Sequence, residues 1–336
     1  MSVPQSTKEI FTAEPIEGKA EVLHEKFRIH LQEQFVRSIQ KVEELLSIDL
    51  SSVKRVFSQL EQGLPFSPNL YALYWRLLNA VRSGMASELK EVLKVFINLS
   101  RSEIYKLGFE LRSLDNSHAD IAIAEFVSGP EGPKSLTGED ARMYPVPSEV
   151  IDLLLDSAES AIDVVRKTDE GVIDEFDEYV RSLSIFAGKV ATGITSVRAF
   201  GGIYLREPSS EFSKAQRVAY FVEHLVHETS HLQLHALMIH DPLLLNDDEQ
   251  LFDAPIRPDP RPMFGIFHAS FVLSRMVRVF RKWSQNDSSP LLQDHLRKFE
   301  SMFQHGLQTV QSHGVLTTAG KSVFGSLRKV ALMDVK

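Results

Sequence analysis

Between residues 20 and 48, apolar side chains return every three or four positions, at Leu23, Phe27, Leu31, Phe35, Ile39, Val42 and Leu45. That period puts them on one face and predicts a long amphipathic helix. Residues 69–83, rich in Leu, Tyr and Trp, and residues 87–99, beyond Gly84, read as two further helices packed as a hairpin. The pattern then changes. Residues 104–111 and 121–127 carry alternating or β-branched apolar positions around the turn-like SLDNSHAD, which predicts a β-hairpin. Pro and Gly mark 128–140 as a loop.

Residues 147–167 predict a helix with Pro in its first turn, and 182–206, apolar but punctuated by Gly, Ser and Thr, predict short bent strands. Ser213 and Gln216 have the spacing of a capping box and open a helix that should run to about His240, just before Asp241-Pro242. A polar loop leads into DAPIRPDPRP at 253–262, with four prolines in ten residues. Helices over 263–283 and 290–310 and a short closing one complete the chain. No repeat of solenoid length is visible. The expected fold class is mainly α with a minor β-sheet (α+β). The expected organisation is a flexible N-terminal arm at 1–18, a helical region at 19–100 and a metal-binding catalytic domain at 101–336.

Composition narrows the function classes. Of 336 residues, 43% are hydrophobic and 24% charged, ordinary values for a globular chain with a sizeable core. Lys and Arg number 37 against 45 Asp and Glu, a net charge of −8 without a basic block, which argues against nucleic-acid binding. The polar N-terminus has no signal-peptide core, and no apolar run is expected to approach the ~18 residues of a membrane span. A cytoplasmic protein without a membrane partner is expected. The chain has no cysteine, which excludes disulfides, thiolate metal sites and Cys nucleophiles together. Any metal must be held by His, Asp, Glu or backbone oxygen. Five of the 12 histidines fall between His224 and His240.

Within that stretch lies His227-Glu228-Thr229-Ser230-His231, the H-E-x-x-H pattern. Imidazoles at i and i+4 share a helix face and can converge on one ion, with the intervening Glu beside them. His224 and His235 continue the same stripe. Clustered histidines also occur as solvated or stacked core residues, so the stripe alone does not set the ligands. The long metzincin form needs Gly and His where this chain has Leu234 and Leu237, and Glu249, the candidate for a thermolysin-like third ligand, sits in a polar loop. His268, within the apolar run FGIFHASFVL, is the better third ligand, because a lone buried imidazole needs a partner. The expectation is therefore a metal site on the long H-E-x-x-H helix, packed against a second helix that brings the third ligand. Three neutral imidazoles suit zinc, iron, copper or nickel. Arg257 and Arg261, in the proline-stiffened segment, offer guanidinium forks for an anionic ligand such as a carboxylate.

The combination of HETSHLQLHAL, DPLL, the Pro/Arg-rich segment and GIFHASF resembles the HExxH-motif peptide-modification proteins found near ribosomal peptide natural-product clusters. Members are described as iron-containing, 2-oxoglutarate-dependent peptide β-hydroxylases. The resemblance covers about residues 194–283. It implies iron ligation by His227, His231 and His268, with Arg257 or Arg261 as partner of the 2-oxoglutarate carboxylate. Glu228 takes either a supporting place or that of a ligand, since the usual non-haem iron triad is two His and one carboxylate.

The expected function is thus an Fe(II)/2-oxoglutarate oxygenase that hydroxylates an unactivated carbon, the β-carbon foremost, of a peptide or amino-acid-derived substrate. A zinc hydrolase with Glu228 as general base, and a non-catalytic helical scaffold, are the competing readings. Residues 188–204 offer an edge strand on which a peptide could add. Nothing in the pattern sets an oligomeric state.

Overall fold

The structure, a computed structural model, describes residues 10–332 apart from 59, 62, 130–141 and 257. The order of elements is α1 (Lys19–Leu46), α2 (Ser51–Ser58), α3 (Pro68–Arg82), α4 (Ala86–Ile97), α5 (Arg101–Ile104), β1 (Glu110–Ser113), α6 (His118–Ser128) and β2 (Met143–Pro145). It continues with α7 (Ser148–Thr168), α8 (Glu170–Tyr179), β3 (Ser182–Gly188), β4 (Gly193–Ile194), β5 (Gly202–Arg206), α9 (Lys214–Met238), β6 (Leu251–Phe252), β7 (Arg261–Pro262), α10 (Met263–Ser284), α11 (Pro290–His313) and α12 (Thr318–Leu332). The protein is mainly helical with a small sheet, as the periodicity predicts.

Contacts gather these elements into two units. One comprises Met1–Leu23, Asp152–Tyr179 and Pro208–Lys336; the other comprises His24–Ile151 and Val180–Glu207. The second unit holds the sheet. Its order is β1-β3-β5-β4, with β2 pairing β3 antiparallel where β1 stops. β1, β3 and β5 run parallel, and β4 lies antiparallel on β5. Ile123, Val127, Phe186, Ile194 and Tyr204 pack into one apolar cluster between sheet and helices. In 182–206, β3 and β5 are buried core strands, and only the two-residue β4 lies at an edge.

The expected β-hairpin does not form. Residues 110–113 pair in parallel with β3, and 118–128 is a helix. Two local interactions explain the difference. Ser117 caps α6, its hydroxyl accepting from the Asp120 amide, and Arg112 donates to both Asp120 oxygens at 2.7 and 2.9 Å. The apolar positions of IAIAEFV satisfy a helical stripe as well as a strand: Ala119, Ile123 and Val127 are buried while Ile121 faces out.

The first unit is a helical assembly around α9 and α10. Ser213 and Gln216 form the expected capping box, with bonds of 3.3 Å to the Gln216 amide and 2.9 Å back to the Ser213 amide. α9 packs on α8 and α10, and α10 packs on α11 and α12. Both central helices bury residues around nearly their whole circumference, the signature of core helices. α10 is long and apolar enough to cross a membrane by composition, but 72% of its apolar window is buried inside the protein. At Gly306 on α11 a side chain would run into Ser270 and Pro255, so glycine there admits close helix packing.

Candidate metal centre

α9 carries His227, Glu228 and His231 in its middle, where neighbouring turns fix the backbone from both sides. One potential donor atom from each of the three lies within 4.8 Å of the other two. The imidazoles of His227 and His231 meet edge to face one turn apart, with centroids 4.6 Å apart and planes at 77°. His227 Nε2 stands 4.0 Å from Glu228 Oε1. Glu228 is buried, whereas the His227 side chain keeps 25% of its surface open to solvent. The group therefore faces an accessible side and is backed by core.

α10 brings His268 to this group through His231. His231 Nδ1 and His268 Nε2 are 2.9 Å apart. That is the length of an imidazole–imidazole hydrogen bond. The donor set fits a divalent transition metal: imidazoles and a carboxylate, without thiolates. Phe264, one turn before His268, covers its ring with centroids 5.4 Å apart. His235 lies on the other side, its centroid 5.8 Å from that of His268, and its Nδ1 is buried without a hydrogen-bond partner among the described residues.

The electrostatics keep these rings neutral. Burial pulls the pKa of His227 down to about 4, helped by the nearby His224. Burial likewise lowers His235 to about 4 and His268 to about 3, and His231 falls well below its ordinary value. Neutral imidazole is the form that ligates a metal. His224 also lies edge-on to Tyr220, with centroids 4.3 Å apart. Glu223 Oε2 lies 3.1 Å from His295 Nδ1 on α11.

Arg261 sits in β7, immediately before α10, and pairs with Asp259 at 2.5 Å. Its side chain is 40% exposed, its Nε is buried without a hydrogen-bond partner among the described residues, and none of its described contacts reaches the histidines. Arg257 lies outside the described residues. The structure thus gathers His227, Glu228 and His231, sets His268 against His231, and leaves Arg261 on the neighbouring ribbon.

Sequence reasoning missed a buried ionic cluster behind the motif. Arg275 on α10, 1% exposed, donates from Nε to Ser230 Oγ at 2.9 Å, from Nη1 to the Ala13 carbonyl at 2.9 Å, and from Nη2 to Glu175. Ser230 lies inside H-E-x-x-H itself, and its hydroxyl donates to the Val226 carbonyl at 2.6 Å. Lys19 stands 3.6 Å from Glu175 and donates to the Thr12 and Glu14 carbonyls. Burial lowers the Arg275 pKa to about 9, which leaves it charged at neutral pH. The available signal was an arginine within FVLSRMV, since a charge in an apolar helix must find a partner.

Comparison of the chain with models of known protein families and with curated proteins gave no match.

Proposed function

We propose that the protein is a metal-dependent oxygenase using Fe(II) and 2-oxoglutarate. It would hydroxylate an unactivated carbon, the β-carbon of a residue foremost, in a peptide or amino-acid-derived substrate. The observation that carries this reading is the convergence of His227, Glu228 and His231, two imidazoles and a carboxylate, in the middle of α9. That donor set is the one that suits non-haem iron and leaves positions open to a cosubstrate. Iron(II) with 2-oxoglutarate and O₂ supplies the oxidising power for the step, one oxygen entering the C–H bond while the oxo acid leaves as succinate and CO₂. The chain's own part is to hold and orient. The buried Glu228 and the half-buried His231 fix one side of the site, and His268 on α10 braces His231. Arg261, or Arg257, would grip the cosubstrate carboxylate as a guanidinium fork. The resemblance carried by HETSHLQLHAL, DPLL and GIFHASF supports the same reading.

A second reading is favoured by the 2.9 Å approach of His268 to His231. With His268 as third ligand, Glu228 is released to act as general base in a zinc hydrolase. One experiment separates the two. The protein is loaded with Fe(II) without air and given 2-oxoglutarate and a candidate peptide, then O₂. The oxygenase reading expects succinate and a gain of one oxygen on the peptide. Cleavage supported by zinc without O₂ would replace it with the hydrolase, and absence of any metal binding would leave a scaffold.

A further inference from the structure

We infer that Arg275 is a positioning residue that ties residues 10–19 to the metal-binding turn of α9. The site's affinity for metal then depends on how firmly that N-terminal segment is seated. The inference rests on the metal-centre reading above and adds a means of regulating it.

Three observations carry it. First, Arg275 spends its guanidinium on three different parts of the chain: Ser230 in the motif, Glu175 on α8, and the Ala13 carbonyl. All lie in the same unit, and Arg275 and Glu175 are each 1% exposed. A planar fork with its donors in fixed directions transmits a displacement of any one acceptor to the other two. Second, Ser230 is fully engaged: it gives its proton to Val226 O and accepts from Arg275 Nε. Its neighbour His231 thus stands on a turn whose side-chain bonds end at Arg275. Third, the segment is anchored at its far side as well. The Ala13 amide donates to Ser326 Oγ on α12 at 2.8 Å, Pro15 packs against Gly171 where no larger side chain fits, and Lys19 closes on the Thr12 and Glu14 carbonyls. A single line of bonds therefore runs from Ser326 through Ala13 and Arg275 to Ser230, beside the candidate ligand His231. A partner that lifts residues 10–19 off α12 would withdraw the Ala13 acceptor and loosen the metal turn.

Two mild substitutions at opposite ends of the line test this in the full-length protein. Ser326→Ala removes the anchor of Ala13, and Ser230→Ala removes the acceptor of Arg275; neither empties a large volume. Co(II) titration, followed by its visible absorption, reads metal affinity. Amide exchange across residues 226–232 of the metal-free protein reads the turn itself. Ser326→Ala is expected to weaken Co(II) binding by about tenfold, the size of effect usual for groups that support a ligand. It should also speed exchange at 226–232. In the Ser230→Ala background it should then add little, because the line is already cut. Arg275→Lys, which keeps the charge but cannot hold all three acceptors, should behave like Ser230→Ala. A merely structural role predicts additive losses of stability with unchanged affinity and unchanged local exchange, and that result overturns the inference. Failure of the wild-type protein to bind Co(II) overturns the metal reading instead, and the exchange measurement still decides whether Ser326 and the α9 turn are coupled.

Discussion

His231 Nδ1 lies 2.9 Å from His268 Nε2, so the imidazole that closes the H-E-x-x-H turn is held by a side chain from the next helix. Substituting His268→Ala should weaken binding of Zn(II) or Co(II) by about 10–100-fold, whether His268 ligates or only orients His231. Isothermal titration measures this. Unchanged affinity would remove His268 from the site. His231→Ala should cost more than His268→Ala, because it removes a member of the convergent group as well as the partner of His268.

Glu228 separates the two chemical readings. If its carboxylate ligates, Glu228→Gln lowers iron affinity together with turnover. If it is a general base, the same substitution leaves metal affinity within about threefold and abolishes turnover, a loss confined to the reaction itself. Metal titration alongside steady-state rates distinguishes these outcomes.

Arg261 should matter for an anionic cosubstrate. A charge-assisted bond to a carboxylate contributes about 1.5–3 kcal/mol, so Arg261→Met should weaken 2-oxoglutarate binding about 10–100-fold. Asp259→Asn, which releases Arg261 from its ion pair, should not weaken it. Fluorescence-monitored titration of the metal-loaded protein checks both, and equal affinities for wild type and Arg261→Met would exclude the role.

The half-buried histidines make metal-free stability depend on pH. His227 and His235 titrate at about 4 and His268 at about 3 in the folded protein, against about 6.5 when unfolded. Between these limits the unfolded chain binds more protons, so stability rises with pH there. The full contribution is present above about pH 6.5 and is lost as pH falls toward 4. For His235 the shift corresponds to at most about 3 kcal/mol. Urea midpoints at pH 7 and pH 5 should show the decline, and it should be smaller in His235→Ala, which has one such group fewer.

Glu175 lies between Arg275 and Lys19, both buried. Glu175→Gln would leave the Arg275 guanidinium in the core without a counter-charge, beside a Lys19 amine whose pKa burial and Arg275 already push well below its ordinary value. The expected loss is about 3–5 kcal/mol in chemical denaturation. A loss below about 1 kcal/mol would mean that water enters the cluster.

Much of this unit was legible in the chain because the signals are local. Ser213 and Gln216 announce the start of α9 three residues apart, and His227 and His231 announce their shared face four apart. His268 was found by elimination, as an imidazole without company in an apolar run. The strand at 110–113 was misassigned to a hairpin because its true partner, β3, begins seventy residues later, while IAIAEFV fits both periods. Arg275 was hidden for a related reason. Its acceptors Ser230, Glu175 and Ala13 lie 45, 100 and 262 positions away, so no window of sequence contains the cluster that keeps the charge buried. The loose composition of residues 1–18 gives no sign of the bonds made at Ala13.

Those separations also set a timetable for synthesis. The Ala13 amide meets Ser326 across a sequence separation of 313, so the segment near residue 13 leaves the ribosome long before either of its partners is made. At about 5–20 residues per second, the wait is on the order of 15–60 seconds. During that time Lys19 and Glu175 have no Arg275 with which to share a core. The tie between Ala13 and the metal turn is therefore among the last contacts a nascent molecule can form, and a chain stalled before Arg275 would carry H-E-x-x-H complete in sequence but unbraced.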